Sequence, residues 1–211
     1  MRMIEARRAL RRLQAGNRCF AAGAATGDTR TGETRRAELL GGQQPFAIIL
    51  GCSDSRVPAE IVFDQGLGDL FVIRVAGNVV APSQIGSVEF AAEQFGTRLV
   101  VVLGHSQCGA VAATLEQLER PTEARSPNLK AIVDRIRPSV EPLLAEGHGQ
   151  DRDVLLQNAV RANVLAAVDR LRHGSEILEH LIGHDGLLVV GAEYSLETGV
   201  VDFFHGVPAH D

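Results

Sequence analysis

Four short apolar runs with no polar residue inside them constrain this chain most: Phe46–Leu50, Leu70–Ile73, Leu99–Leu103 and Leu187–Val190. Such a run has no polar face to offer water, so a strand built from it must be covered on both sides, the situation of a parallel sheet. Helical patterns fill the intervals. Ser83 to Phe95 reads as one helix closed by Gly96, and Cys108 to Leu118 as another. Leu129–Ile136 and Val154–Leu171 continue the helical material, broken by Pro138, Pro142 and the Gly147-His148-Gly149 turn. Near the end, Glu197-Thr198-Gly199 is a turn signal, so Gly199 to Phe204 is expected to return antiparallel to the preceding strand. The expected fold is α/β: a central, mostly parallel sheet of four parallel strands plus an antiparallel edge strand, flanked by helices. In such sheets ligands gather beyond the carboxyl ends of the strands.

Ahead of the sheet, Ile4, Leu10, Leu13 and Phe20 recur at helical spacing, giving an N-terminal amphipathic arm over residues 1–25. A Gly/Thr/Asp/Arg-rich loop around Gly27 to Arg35 follows, and an arm of this length is expected to contact a second subunit. The whole of 1–211 reads as one domain, since a chain of 211 residues that is 45% hydrophobic can bury one sizeable core. The formal charge of −5, with basic residues scattered, argues against a nucleic-acid partner. Neither a secretory leader nor a membrane-spanning apolar stretch is found, so the expected location is cytoplasmic, with no membrane partner.

Three cysteines without a secretory signal point to metal binding or catalysis rather than a disulfide framework. Two segments set soft ligands just past a strand: "GCSDSR" carries Cys52, and "GHSQCGA" carries His105 and Cys108. Taken singly, each reads as a buried thiol or a core histidine. Taken together they form a Cys₂His set suited to zinc, which takes four tetrahedral ligands. The nearest fourth donor is Asp54, a weak and conditional ligand that water can displace. In an extended segment Cys52, Asp54 and Arg56 share a face, so the guanidinium can clamp the carboxylate and hold it off the metal. Asp54 can then orient water at a metal that lowers its pKa, and two thiolate ligands favour an alkaline activity optimum. Other candidates are weaker. Cys19 has no partner in the arm, His180 and His184 lack the glutamate of a metalloprotease helix, and "QGLGDLF" precedes a strand, the reverse of a dinucleotide loop. The glycines of "VAGNVVAPS" serve tight turns or close backbone approach.

Through "CSDSRVPAE", "FDQGLGDLFVIRVAGN", "GHSQCGAV" and the closing "HDGLLVVGAEYSLETGVV" the chain resembles the β-class carbonic anhydrases over nearly its whole length. The resemblance implies zinc held by Cys52, His105 and Cys108, with Asp54 and Arg56 as a catalytic dyad. It implies carbonate dehydratase activity (EC 4.2.1.1), in which zinc-bound hydroxide attacks carbon dioxide and gives bicarbonate and a proton. It also implies a site at a dimer interface, with dimers able to pair into tetramers. Substrate contacts carried over are Gln43, Phe71, Ala76 and Gly109. Arg74 and Tyr194 match two members of a bicarbonate regulatory site whose tryptophan is Ile49 here. No histidine is placed as a proton shuttle. The alternatives are a hydrolase of carbon disulfide or carbonyl sulfide on the same fold, or a non-catalytic module stabilised by zinc.

Overall fold

The computed structural model describes residues 4–25, 32–120, 126–146 and 151–209. Five strands form one sheet: β1 (Ala47–Gly51), β2 (Leu70–Arg74), β3 (Leu99–His105), β4 (Leu188–Tyr194) and β5 (Val201–His205), in the order β2-β1-β3-β4-β5. The first four run parallel and only β5 pairs antiparallel, against β4. The expected α/β architecture, including its single antiparallel edge strand, is therefore the one observed. Strands β1 and β3 are buried at every residue, which is why their sequences carry no polar alternation.

Alternate residues serve two cores. Ala47 and Ile49 of β1, with Leu99, Val101 and Leu103 of β3, pack on Leu10 and Leu13 of α1 (Ala6–Ala21) and on Val62 of α3 (Ala59–Val62). Ile48, Leu50, Val100 and Val102 face the other way. They meet Val88 and Ala91 of α4 (Pro82–Gln94), Val164 and Val168 of α7 (Arg152–His173) and Leu178 of α8 (Glu176–His184). A third cluster lies at the carboxyl end of the sheet. There α5 (Gly109–Glu119), α6 (Pro127–Glu146) and α7 close over Cys52, Cys108, Leu115, Ile136 and Val160. A short helix α2 (Glu33–Glu38) follows the arm, and 3-10 turns at Leu39–Gly41 and Ala76–Asn78 complete the described elements.

The arm packs on its own chain. Leu10 and Leu13 are buried against the sheet, each contributing about 2 kcal/mol by area removed from water. Asn17 adds specificity from within the buried face. Its amide donates to Val62 O at 3.1 Å and Gly199 O at 2.9 Å, and its Oδ1 accepts from Val201 N at 2.8 Å. Arg12 lies over the Phe46 ring at 3.9 Å and pairs with Asp69 at 3.0 Å.

One expectation is corrected. Pro138 and Pro142 do not break the helical material; α6 runs through both. Each proline removes the hydrogen bond to the carbonyl four residues back, so Asp134 and Pro138 lose a partner. Both of those residues are exposed, and water can satisfy their carbonyls. Ile136 and Val140, on the opposite face, are fully buried and hold the helix down. The Gly147-His148-Gly149 turn lies outside the described residues, as does part of the Gly27 to Arg35 loop. Among the described residues no helix is long and apolar enough to cross a membrane.

Candidate metal centre and active site

The site is built where β1 and β3, neighbours in the sheet, run out. Cys52 follows the last residue of β1, His105 is the last residue of β3, and Cys108 caps the N-terminus of α5. All three are buried, and their ligand atoms lie within 4.8 Å of one another, the only such group among the described residues. The tight turn between His105 and Cys108 uses Gln107 in the left-handed region, at φ 55°. That turn lets two residues three apart converge on one point.

His105 shows how the group is poised. Its Nδ1 lies 2.9 Å from Ser106 O, and because a carbonyl can only accept, Nδ1 carries the proton. The lone pair is thereby left on Nε2, which is fully buried without a hydrogen-bond partner. A buried acceptor without a donor is costly unless something else satisfies it, and a cation does so. The thiols are equally suited. The hydrogen bond from Cys108 holds the Cys52 thiol well below the ordinary thiol range against the cost of burial, while Cys108 is pushed well above it. Burial disfavours the charged imidazole of His105, yet the neighbouring Cys52 thiolate outweighs it and raises the net value. Two sulfurs and an imidazole nitrogen thus converge in an apolar enclosure, and the Cys–His–Cys donor set fits a zinc-type cation.

Asp54 stands beside this group rather than in it. Arg56 grips it with two parallel bonds, Nε to Oδ1 at 2.9 Å and Nη2 to Oδ2 at 2.7 Å, and its backbone N–H adds a third at 3.0 Å. Those bonds hold the Asp54 carboxyl well below the ordinary carboxylate range. Its Oδ2 remains 3.8 Å from His105 Nε2, next to the place a cation would occupy.

The loop carrying Cys52 and Asp54 is fixed from outside. Arg74, at the end of β2, donates from Nε to Cys52 O at 3.1 Å and from Nη2 to Asp54 O at 2.6 Å. Gly77 donates its backbone N–H to Cys52 Sγ at 3.4 Å. Only glycine serves there: φ is +65°, and a Cβ would sit 2.8 Å from Ile136 Cδ1 and 3.1 Å from Ala110 Cβ.

Ala76 and Gly109 border the group, adjoining Gly77 and Cys108. Gln43 and Phe71 do not. Gln43 is exposed in the loop before β1, and Phe71 lies near the amino end of β2, opposite Ile48, packed on Phe90 of α4 and on Phe95, which caps that helix. Pro45, bonded to Thr97, marks that end of the sheet. From there to Cys52 is roughly 20 Å of extended chain, beyond the reach of the Gln43 side chain. Ile49 and Tyr194 are in the core shared with α1, while Arg74 is committed to the ligand loop, so these three residues form no common pocket. Asn163 was not singled out from the sequence, although it is the one polar residue on the buried face of α7; it donates to Gly77 O at 2.8 Å.

A mostly parallel sheet whose two central strands end in a buried Cys–His–Cys group beside a carboxylate–guanidinium pair defines an α/β protein with a candidate metal centre. Residues 47–201 match the protein family described as carbonic anhydrase. Carbonic anhydrase 2 of Mycobacterium tuberculosis is 41% identical over 188 residues, covering 89% of this chain and 87% of that protein. The carbonic anhydrase of Mycolicibacterium smegmatis is 40% identical over 190 residues, covering 90% and 89%. Among solved structures, the β-carbonic anhydrase CafA of Aspergillus fumigatus superposes with a TM-score of 0.72 at 27% identity, covering 92% of this chain and 90% of that one. The chain belongs to the β-carbonic anhydrase family, whose enzyme class is EC 4.2.1.1.

Proposed function

We propose that the protein hydrates carbon dioxide reversibly to bicarbonate and a proton at a zinc ion held by Cys52, His105 and Cys108. The observation that carries this reading is the buried His105 Nε2, left without a hydrogen-bond partner in a Cys–His–Cys group whose ligand atoms lie within 4.8 Å of one another, and 3.8 Å from an Arg56-held Asp54. Zinc bound there supplies the Lewis-acid chemistry that makes water acidic enough to react near neutral pH. The chain supplies the rest. Asp54, kept ionised by Arg56, accepts a hydrogen bond from the reacting water and so fixes the lone pair that faces substrate. The same carboxylate could serve as a fourth ligand if Arg56 released it, which would close the site to water. Carbon dioxide is small and apolar, and the site's border suits it: Gly109 faces open space, and Ala76 adds only a methyl group.

Gln43 and Phe71 serve a second copy of the chain in this reading. Both sit at the amino end of the sheet, too far from their own metal group, so a dimer in which that end meets the partner's Cys–His–Cys group completes two sites at once.

Zinc content and stopped-flow hydration of carbon dioxide test the proposal together. Wild type should carry zinc and accelerate hydration, and Cys108→Ser should lose both. Wild type that binds zinc without accelerating hydration would overturn the reading. The shared site is tested by mixing Gln43→Ala with Cys108→Ser chains. Each is expected to be inactive alone, while random mixed dimers regain about a quarter of wild-type activity. A mixture as inactive as its parents would assign Gln43 elsewhere.

A further inference from the structure

Helix α7 buries Leu155, Ala159, Val160, Val164, Ala167, Val168 and Leu171 on one face, and Asn163 sits among them at 3% exposure. A carboxamide in that position is unfavourable unless its donors are used. Its Nδ2 is used on a single backbone atom, Gly77 O, at 2.8 Å. Gly77 is held in the left-handed region at φ +65°, and the next residue, Asn78, is also left-handed at φ 42°. Two consecutive residues of this kind persist only where their surroundings fix them. Gly77 is fixed at both ends: its carbonyl accepts from Asn163, and its N–H donates to Cys52 Sγ at 3.4 Å.

We infer that Asn163 is a positioning residue for the metal centre, holding Gly77 so that its N–H stays aimed at the Cys52 sulfur. This rests on the reading of Cys52 as a metal ligand. An N–H···S bond withdraws charge from a thiolate and fixes its direction. Two thiolates donate strongly to one cation, so this bond moderates that donation and keeps the cation electrophilic. Asn163 lies more than a hundred positions from Cys52 in sequence and on a different element.

The test uses Co²⁺ and Zn²⁺ as probes on the full-length protein. Asn163→Leu keeps the branched shape of the side chain, at a larger volume, and removes the donor. It should weaken zinc binding about 10- to 100-fold, the usual cost of losing an outer partner of a ligand. It should also move the thiolate-to-cobalt charge-transfer band to lower energy, because the freed thiolate holds its electrons less tightly. Val168→Ala, a truncation on the same helix face with no polar contact, serves as the structural control. It should lower the thermal midpoint and leave the affinity and the band unmoved. If Asn163→Leu does not fold, Asn163→Ser, which relieves crowding while shortening the donor, is read the same way. An unshifted band with wild-type zinc affinity in either folded variant overturns the inference. A wild-type protein with no thiolate–cobalt band, or a band that survives in the Cys52→Ser, Cys108→Ser double variant, would instead overturn the metal reading beneath it.

Discussion

Arg161 on α7 should be the most costly single charge to remove from the body of the protein. Its Nε donates to Glu193 Oε2 at 2.7 Å, its Nη2 reaches Asp202 across the β4–β5 pair, and its guanidinium lies 4.6 Å from the centre of the Phe204 ring. Glu193 is only 6% exposed, and its other oxygen has no partner. Arg161→Met keeps much of the aliphatic stem and strands the Glu193 carboxylate in the core. Breaking a buried pair from one side costs 3–5 kcal/mol; Arg161 is 36% exposed, so solvent screening places the loss near the low end, about 3 kcal/mol. For a chain of this length that corresponds to a fall of about 6–12 °C in the thermal midpoint. Urea unfolding at fixed protein and zinc concentration measures the loss. The double variant Arg161→Met, Glu193→Gln should recover much of it, because the stranded charge is gone. An unfolding free energy for Arg161→Met within about 0.5 kcal/mol of wild type, or a double variant less stable than Arg161→Met alone, would refute the reasoning.

Two further predictions concern protons at the candidate site. Arg56 depresses the Asp54 pKa, so the pair is intact above the ordinary carboxylate range and is lost only as pH falls through the depressed folded value. The Asp54 carboxyl carbon should therefore show no titration by NMR between pH 7 and 4 in wild type and should titrate in Arg56→Gln; titration at the ordinary value in wild type would contradict the pairing. In zinc-free protein Cys52, held well below the ordinary thiol range by its hydrogen bond from Cys108, is the thiolate of the pair at neutral pH. Its alkylation rate should be nearly flat from pH 6 to 8 and should vanish on adding zinc, while exposed Cys19 reacts with or without metal.

The strands were legible because β1 and β3 are buried on both faces, and a sequence such as Leu99–Leu103 has no other stable use in water. Cys52, His105 and Cys108 were legible because they cluster where β1 and β3 end, the place where parallel sheets gather ligands. Pro138 and Pro142 misled because their cost depends on where the freed carbonyls point, and only the fold reveals that those carbonyls belong to exposed residues. The apolar stripe of α1 was visible in Leu10 and Leu13, but nothing local says that it packs on its own sheet. Gly77 could be read as a turn or close-approach glycine; that its N–H meets a ligand sulfur depends on the path of β2 relative to β1. Asn163 left a detectable trace, a lone polar residue at the apolar period of α7, whereas its partner became known only from packing.

The central claim is that a metal held by Cys52, His105 and Cys108 works with Asp54 to hydrate carbon dioxide, and Asp54→Asn probes it most directly because it keeps the side-chain shape and removes the charge. Stopped-flow hydration by the zinc-loaded variant should fall by at least about 100-fold, the range typical of a positioned catalytic carboxylate, with one zinc per chain retained. Wild-type hydration rates in a zinc-loaded Asp54→Asn protein would contradict the account.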